Sequence, residues 1–199
     1  IILAPSPRGE AVCGELVELF QQAVKKVGAP EALVQKLPRP INKADTETLM
    51  KTVDLVVATG SQNNIRSAYS SGTPAVGVGA GNVAVIVDET ADLNEAAQKI
   101  IASKIFDNAT SCSSENSAVV LASVYDALVS ALESQGAKLL TVDEQEKLQQ
   151  LMWPDGKLNS AVIARPAHQI AQMAEIDCSA TPDVKVLLVQ ESQAGSAHP

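Results

Sequence analysis

Short apolar runs alternate with longer amphipathic stretches along most of this chain, and this alternation constrains the fold more than any other feature. Residues Val53–Ala58 form a valine-rich run of the kind found in parallel strands buried on both faces. From Glu10 to Val27 the apolar residues instead recur at a helical spacing, and Gly28-Ala29-Pro30 ends that stretch. The connections between apolar runs are too long for hairpins. The pattern therefore predicts βαβ units and an α/β fold with a mainly parallel sheet.

Short apolar runs and the helical spacing of apolar residues also predict the other elements. Further strands are expected at residues 1–3, 74–78, 83–87, 118–122 and 184–189, with short apolar runs at 33–34 and 162–163. Further helices are expected at residues 45–52, 61–70, 92–105, 124–134, 142–151 and 167–175. Asp45 or Thr46 is expected to cap the first of these. We place a boundary near residues 88–95 and predict two domains, residues 1–92 and residues 93–199.

The composition argues against some classes of partner. Hydrophobic residues make up 46% of the 199 positions, which is enough for a packed core. The formal net charge is -8 and the longest basic cluster is Lys25-Lys26, whereas nucleic-acid binders carry a basic face. No apolar run reaches the roughly 18 residues that a membrane helix needs. We therefore expect neither nucleic acid nor membrane as a partner.

The cysteines and histidines do not form a metal-binding or disulfide pattern. Cys13, Cys112 and Cys178 are an odd set, widely separated in sequence. His168 and His198 lack the spacing of metal ligands, and His168 is expected on a helix surface. We predict no metal site and, because disulfides are not indicated, a reducing cytoplasmic location.

Cys112 is the main candidate for chemistry. It lies in a polar segment, residues 106–116, between two apolar ones. Polar neighbours can solvate a thiolate, which is the nucleophilic form of cysteine, and can hold an oxyanion. The alternative is an ordinary loop thiol in a water-solvated loop, with Glu115 a base, a surface carboxylate or a cap of the next turn. The neighbouring donors are the side chains of Asn108, Thr110, Ser111, Ser113, Ser114 and Asn116.

Two glycine-containing segments are candidate ligand contacts. Thr59-Gly60-Ser61 follows a predicted strand and opens a predicted helix, a position that favours phosphate. Ser61 is alternatively no more than the N-cap of that helix. The run from Gly77 to Gly81 lacks the spacing of a dinucleotide fingerprint, and a strand follows it instead of a helix. It indicates either close approach by another group or a turn.

Four ordered blocks resemble a known family. They are residues 58–61, residues 68–82, residues 87–93 and Phe106-Asp107-Asn108 preceding Cys112. Together they resemble the CoA-acylating branch of the aldehyde dehydrogenase superfamily, which includes acetaldehyde and sulfoacetaldehyde dehydrogenases and one half of the bifunctional aldehyde–alcohol dehydrogenases. The resemblance runs from Ile1 to about Val189. Within the family, the sequence is most similar to the acylating sulfoacetaldehyde and acetaldehyde enzymes.

The resemblance implies a fold and a set of site residues. Residues 1–92 would be the later part of a Rossmann-like NAD(P)-binding domain, and residues 93–199 the first part of an α/β catalytic domain, within a chain more than twice this length. Cys112 would be the catalytic nucleophile. The residues assigned to NAD or NADP are Pro5 and Ser6 at the adenosine, Gly60 and Ser61 at the pyrophosphate, and Val78 and Gly79 at the nicotinamide.

The resemblance also implies a reaction. The Cys112 thiolate would attack an aldehyde, hydride would pass to the cofactor, and coenzyme A would take the acyl group from the thioacyl enzyme. Hydrolytic members have a glutamate base at the position of Gly77, so its absence favours coenzyme A over water as acceptor. Gly77→Glu is accordingly expected to raise release of free acid. Many hydrolytic members have a lysine at the position of Ala4, so the choice between NAD and NADP stays open.

The substrate and assembly are expectations of the same resemblance. The hydroxyls around Cys112 would bond a sulfonate, which favours sulfoacetaldehyde over acetaldehyde. A homo-oligomer is expected for the whole protein. Two alternatives stay open: a hydrolytic aldehyde dehydrogenase, and a non-catalytic structural or assembly fragment of a bifunctional aldehyde–alcohol dehydrogenase.

Overall fold

The computed structural model describes residues 1–79, 81 and 83–192. Contacts between residues divide the chain after residue 80 into two compact units, a first unit and a second unit. All strand ladders among the described residues are parallel, in four two-stranded sheets. The α/β class predicted from the sequence is therefore confirmed. Ala80, Asn82 and residues 193–199, including His198, lie outside the described residues.

The first unit contains two parallel strand pairs with connecting helices. Strand β1 pairs with β2, and β3 pairs with β4. A short 3-10 helix, Glu31–Leu33, precedes β2. In chain order the elements are β1 (Ile2–Leu3), α1 (Glu10–Lys26), β2 (Gln35–Lys36), α2 (Lys43–Thr52), β3 (Val56–Thr59), α3 (Gln62–Tyr69) and β4 (Ala75–Val78).

Helix α3 packs on the pair formed by β3 and β4. Val56 and Ala58 are buried while Val57 and Thr59 point away, as the two-residue period of a strand requires. Ile65 and Ala68 of α3 complete this cluster. Apolar side chains facing one another in this way hold the helix over one face of the pair.

The second unit has the same construction. Strand β5 pairs with β6, and β7 with β8. Its larger core cluster includes Val87, Ile101, Leu128 and Leu132. In chain order the elements are β5 (Val83–Val87), α4 (Leu93–Ile105), β6 (Glu115–Val120), α5 (Tyr125–Ser134), β7 (Ala137–Leu139), α6 (Val142–Met152), α7 (Ala167–Met173) and β8 (Val186–Leu188).

Three short segments differ from the prediction. Strand β2 occupies residues 35–36, because Leu33 ends a 3-10 helix and cannot join the ladder. The apolar run at 162–163 is a turn, with Val162 buried and Ile163 exposed, so its expected place in the alternation was wrong. Strand β7 was not predicted, since it has three residues with Lys138 in the middle.

Several element boundaries also differ, including the starts of β3 at Val56 instead of Val53 and of β8 at Val186 instead of Val184. Helix α2 begins at Lys43, because Asn42 Oδ1 accepts from the Asp45 N–H at 2.8 Å and acts as the cap in place of Asp45 or Thr46. Strand β6 begins at Glu115, before the predicted residue 118.

The division after residue 80 assigns β5 to the second unit by its contacts. Contacts do not report which cofactor a unit binds. The assignment of residues 1–92 to an NAD(P)-binding domain and 93–199 to a catalytic domain therefore stays a prediction. Among the helices of the described residues, none has both the length and the apolar character of a membrane span.

Candidate active site

Cys112 lies on an exposed turn between α4 and β6. Helix α4 ends at Ile105, a short 3-10 helix follows at Phe106–Ala109, and β6 begins at Glu115. The Ser114 N–H donates to the Ser111 carbonyl at 3.1 Å, which closes a four-residue turn with Cys112 in its second position. The thiol is exposed. A reagent or substrate can therefore reach it without opening the core.

The backbone leading into that turn is strained and held by specific hydrogen bonds. Asp107, Asn108 and Ala109 have φ of 51°, 47° and 60°, in the left-handed region that costs energy for non-glycine residues. Thr110 Oγ1 donates to the Asp107 carbonyl and also contacts its Oδ2, each at 2.6 Å. Asn108 Nδ2 donates to the Ala164 carbonyl at 3.1 Å. These bonds fix the approach of the chain to Cys112.

The predicted donors around Cys112 are largely committed to the loop itself. Asn108 and Thr110 stabilise the strained approach, and Ser111 Oγ and Ser113 Oγ share a hydrogen bond of 2.9 Å. Ser114 is 2% exposed, and its Oγ has no hydrogen-bond partner among the described residues. A role of these groups in holding an oxyanion stays a prediction.

Lys104 is a charged residue at this site that the sequence patterns do not single out. It lies in the last turn of α4, and its Nζ donates to Asn116 Oδ1 of β6 at 2.9 Å. Burial lowers the pKa of Lys104, while the nearby Glu115 carboxylate opposes that change. Glu115 Oε2 is itself buried without a hydrogen bond among the described residues. A lysine in the last helical turn looks like a helix-dipole partner, so the sequence offers no signal of this contact.

The other two cysteines differ from Cys112. Cys13 and Cys178 are partly buried. Burial raises the pKa of Cys178, and the Glu144 and Asp177 carboxylates add to this, against the opposing charge of Lys138. His168 is exposed on α7, as expected from the sequence. Within the described part of the chain, no group of three or more His, Cys, Asp or Glu side chains could hold a metal ion.

Four of the predicted cofactor residues lie at one end of the β3–β4 pair. The Gly60 N–H donates to the Val78 carbonyl at 3.3 Å, and Gly60 has φ of 110°. Ser61 Oγ accepts from the Asn64 N–H at 3.3 Å, so its predicted N-cap role is confirmed. Gly79 follows Val78 directly. Ligands of open α/β sheets bind at such carboxyl ends of strands, so the position suits a pyrophosphate near the start of α3.

Pro5 and Ser6, the other two predicted cofactor residues, follow the carboxyl end of β1. The Gly9 N–H donates to the Ser6 carbonyl at 3.0 Å and lies 3.4 Å from its Oγ. Ser6 therefore helps to turn the chain into α1. Contact of either residue with a cofactor stays a prediction.

Gly77 of β4 and Gly79 just after the strand make room for α3. A Cβ at Gly77 would lie 2.8 Å from Ile65 Cγ2 and 2.9 Å from the ring of Tyr69. A Cβ at Gly79 would lie 2.7 Å from Gln62 Nε2. The Gly77 N–H donates to the Tyr69 hydroxyl at 3.0 Å. Of the two interpretations of this run, close approach is the one observed at Gly77 and Gly79, and the approaching group is α3.

Comparison with known proteins identifies the family. The model of the "Aldehyde dehydrogenase family" matches residues 1–154. The chain belongs to the aldehyde dehydrogenase family. The family resemblance inferred from the sequence is thereby confirmed.

The relatives of this aldehyde dehydrogenase chain include acylating enzymes. It is 49% identical, over its full length, to the "Sulfoacetaldehyde dehydrogenase (acylating)" of Cupriavidus necator, and it spans 40% of that protein. An acetylating aldehyde dehydrogenase from Geobacillus thermoglucosidasius has a TM-score of 0.93 and 36% identity, covering 100% of this chain and 44% of that one. The fold is therefore that of an aldehyde dehydrogenase. The chain spans less than half the length of these relatives.

Two further solved structures contain ligands. An engineered glycolyl-CoA reductase with bound NADP+ has a TM-score of 0.87 and 29% identity, covering 94% of this chain and 43% of that one. A propionaldehyde dehydrogenase from Rhodopseudomonas palustris, with bound CoA and an acylated cysteine, has a TM-score of 0.88 and 27% identity. It covers 98% of this chain and 45% of that one.

Proposed function

We propose that the whole protein containing this chain is a CoA-acylating aldehyde dehydrogenase, which oxidises a small aldehyde to its acyl-CoA with NAD or NADP. The observation that carries the proposal is the exposed thiol of Cys112 on a turn held by specific hydrogen bonds, in a chain of this family. The Cupriavidus relative is named for the acylating reaction, which supports the same chemistry here.

In the proposed mechanism Cys112 forms and then releases a covalent bond to the substrate. Its thiolate attacks the aldehyde carbon and gives a thiohemiacetal. A bound NAD or NADP would supply the acceptor for the hydride lost from that carbon, and a thioester would remain on Cys112. The thiolate of coenzyme A then attacks the thioester and expels the Cys112 thiolate. In balance, aldehyde, coenzyme A and NAD(P)+ give acyl-CoA, NAD(P)H and one proton.

The first unit contributes the proposed cofactor site. Gly60, Ser61, Val78 and Gly79 lie at the carboxyl end of a parallel strand pair, where the N-terminus of α3 provides unpaired backbone N–H groups. Residues of this kind suit the pyrophosphate of NAD or NADP. The NADP+ complex of a structural neighbour supports NADP as one of the two choices.

Sulfoacetaldehyde is the substrate that we propose in preference to acetaldehyde. Ser111 Oγ and Ser113 Oγ bond each other next to Cys112, and either hydroxyl could turn to a sulfonate oxygen. The name of the Cupriavidus relative supports this choice. A kcat/KM for acetaldehyde above that for sulfoacetaldehyde would overturn it.

The direct test is the reaction of the whole protein with aldehyde, coenzyme A and NAD or NADP. We expect acyl-CoA formation that Cys112→Ser abolishes, while Cys178→Ser, at a partly buried thiol, retains it. NAD(P)H production that needs no added thiol would instead indicate a hydrolytic enzyme. No turnover by a folded wild-type protein would favour a structural fragment.

We also propose that the whole protein is a cytoplasmic homo-oligomer. Val12, Leu16, Leu19 and Phe20 form an exposed apolar stripe on α1, which a second copy would cover. All three cysteines are free thiols, as in a reducing compartment. Light scattering coupled to size exclusion should report an oligomer that a Leu16→Glu, Phe20→Glu double variant weakens, and a wild-type monomer would exclude it.

A further inference from the structure

Lys104 joins the two ends of the segment that carries Cys112. The segment leaves α4 after Ile105 and enters β6 at Glu115. The hydrogen bond of 2.9 Å from Lys104 Nζ to Asn116 Oδ1 connects the elements on either side. Its acceptor lies four residues after Cys112 in sequence. The geometry of the turn therefore depends on where this bond holds the start of β6.

Asn116 owes its position to an irregularity in the β5–β6 ladder. Val83 pairs with Glu115, whereas Ala84 pairs with Ser117, so Asn116 is one extra residue on β6. An extra residue of this kind is a β-bulge, which redirects a side chain out of the regular alternation and is uncommon in parallel pairs. Bulges occur often beside active sites. Here the redirected side chain is the one that meets Lys104.

The polar groups beneath the turn are poorly satisfied apart from this bond. Ser114 Oγ and Glu115 Oε2 are both buried without hydrogen-bond partners among the described residues. Lys104 is partly removed from water, with Glu115 as its nearby opposite charge. Other charged residues on α4 are paired elsewhere, since Lys99 Nζ lies 2.7 Å from Glu95 Oε1 on the exposed face. Within the described residues, the Lys104–Asn116 bond is the side-chain hydrogen bond that joins α4 to the start of β6.

We propose that Lys104 is a positioning residue, which sets the orientation of the Cys112 turn through Asn116 and Glu115. Loss of the bond should leave the thiol present but incorrectly placed. The activity arm of the test rests on the proposed function, whereas the alkylation arm does not. The two can therefore fail separately.

The test uses the whole protein and a double-mutant cycle. Lys104→Met keeps the apolar stem and removes the donor, and Asn116→Leu removes the acceptor. Iodoacetamide alkylation of Cys112, followed peptide by peptide in a mass spectrometer, should slow by on the order of tenfold in each single variant. The double variant should be no slower than either single one, because the same interaction is lost. Lys104→Arg keeps a donor and should restore most of the wild-type rate.

A matched control and steady-state kinetics separate positioning from stability. Lys99→Met removes an exposed lysine of the same helix and should leave alkylation unchanged. For acyl-CoA formation we expect Lys104→Met to lower kcat with little change in KM for the aldehyde. A variant set with lowered Tm but wild-type alkylation rates would mean a purely structural role and overturn the inference.

Two further outcomes are decisive. Single-variant losses that multiply in the double variant would show that Lys104 and Asn116 act independently, against the inference. If Lys104→Met fails to unfold cooperatively, Asn116→Leu and Lys104→Arg carry the test alone, with the same expected loss and rescue. If the alkylation rates of the variants are coupled as expected but the wild-type protein forms no acyl-CoA, the positioning role is sustained and the proposed function is overturned.

Discussion

Gly77 bears on two properties of the protein, the acceptor of the acyl group and the packing of α3 on β4. The family resemblance draws attention to a missing carboxylate at this position, and Gly77→Glu was expected to raise release of free acid. The structure shows an obstacle, since a Cβ there would meet Ile65 and Tyr69 at 2.8 and 2.9 Å. The backbone is no obstacle, because Gly77 is not among the glycines with positive φ. We therefore expect Gly77→Glu to release free acid only when both Ile65 and Tyr69 are also shortened.

The same contact predicts a stability effect. Gly77→Ala should lower the free energy of unfolding by about 1–3 kcal/mol, because the added methyl group overpacks the interface with α3. Urea denaturation of the whole protein measures it. Gly81→Ala is the matched control, since a Cβ at Gly81 has nothing within 4 Å, and it should stay within about 0.5 kcal/mol. Equal effects at the two glycines would contradict the packing argument.

The three thiols should react at different rates. Cys112 is exposed, whereas Cys13 and Cys178 are partly buried and burial raises the pKa of Cys178. Iodoacetamide should therefore alkylate Cys112 several times faster near neutral pH. The rate at Cys178 should keep rising to higher pH than that of an ordinary thiol, because its thiolate forms later. Alkylation of Cys178 ahead of Cys112 in the native protein would contradict both statements.

At the scale of elements, the start of α6 combines a capping box with an ion pair. Thr141 Oγ1 accepts from the Glu144 N–H, and Glu144 Oε2 accepts from the Thr141 N–H at 2.9 Å. Glu144 Oε1 lies 3.0 Å from Lys138 Nζ of β7, with both side chains mostly buried. Burial pushes the pKa of Glu144 up, but the Thr141 N–H and Lys138 outweigh it and leave that pKa lowered. The helix is thus tied to the neighbouring strand.

Glu144→Gln should remove the ionic part of this arrangement. We expect a loss of about 1 kcal/mol at pH 7. Because the folded pKa of Glu144 lies below its unfolded value of about 4.3, the contribution is present above that pH and is lost as pH falls through the folded pKa. Thermal unfolding from pH 7 to pH 3 should show the difference from wild type shrinking. Glu146→Gln, at an exposed site on α6, is the control and should show no such trend.

The elements that could be predicted from the sequence are those with a complete apolar period. Strands β3, β4 and β5 and helices α1 and α4 are of this kind, and each has apolar residues in a regular pattern. Strand β7 has only Ala137, Lys138 and Leu139, which is too short for a period of two to be recognised. Strand β6 begins with polar residues, Glu115 to Ser117, because it starts at the candidate site and not in the core.

The candidate site could be predicted from the sequence only in part. Cys112 stands out because a thiol in a polar segment is unusual. The hydrogen bonds made by the side chains around Cys112 could not be predicted. They depend on the left-handed backbone of Asp107 to Ala109, which no side-chain pattern reports. The contact between Lys104 and Asn116 depends on a bulge, which shifts the register of β6 by one residue.

At the scale of the whole molecule, the β3–β4 pair and the β5–β6 pair each have one covered face and one open face. Val57 and Val76 on the β3–β4 pair are 71% and 54% exposed, and Ile86 on β5 is 76% exposed. Exposed apolar patches of this kind mark surfaces that other protein segments cover. The curated relatives are more than twice as long as this chain, so the remainder of a whole protein could supply the cover.

Residues 1–199 alone should therefore be marginally stable and inactive. We expect a low, broad thermal transition, binding of a hydrophobic dye to the open faces, and no aldehyde-dependent reduction of NAD or NADP. Expression of these residues alone, assayed beside the whole protein, measures all three. A monomeric fragment that unfolds cooperatively and turns over substrate would show that the open faces need no partner.

The bulge at Asn116 has a consequence for insertions and deletions. In a regular strand, one added or removed residue upstream would invert every side chain between core and solvent. Strand β6 already accommodates one surplus residue at its first pairings, between Glu115 and Ser117. A change of one residue in the length of the Cys112 segment can be absorbed there, with Val119 and Val120 keeping their faces.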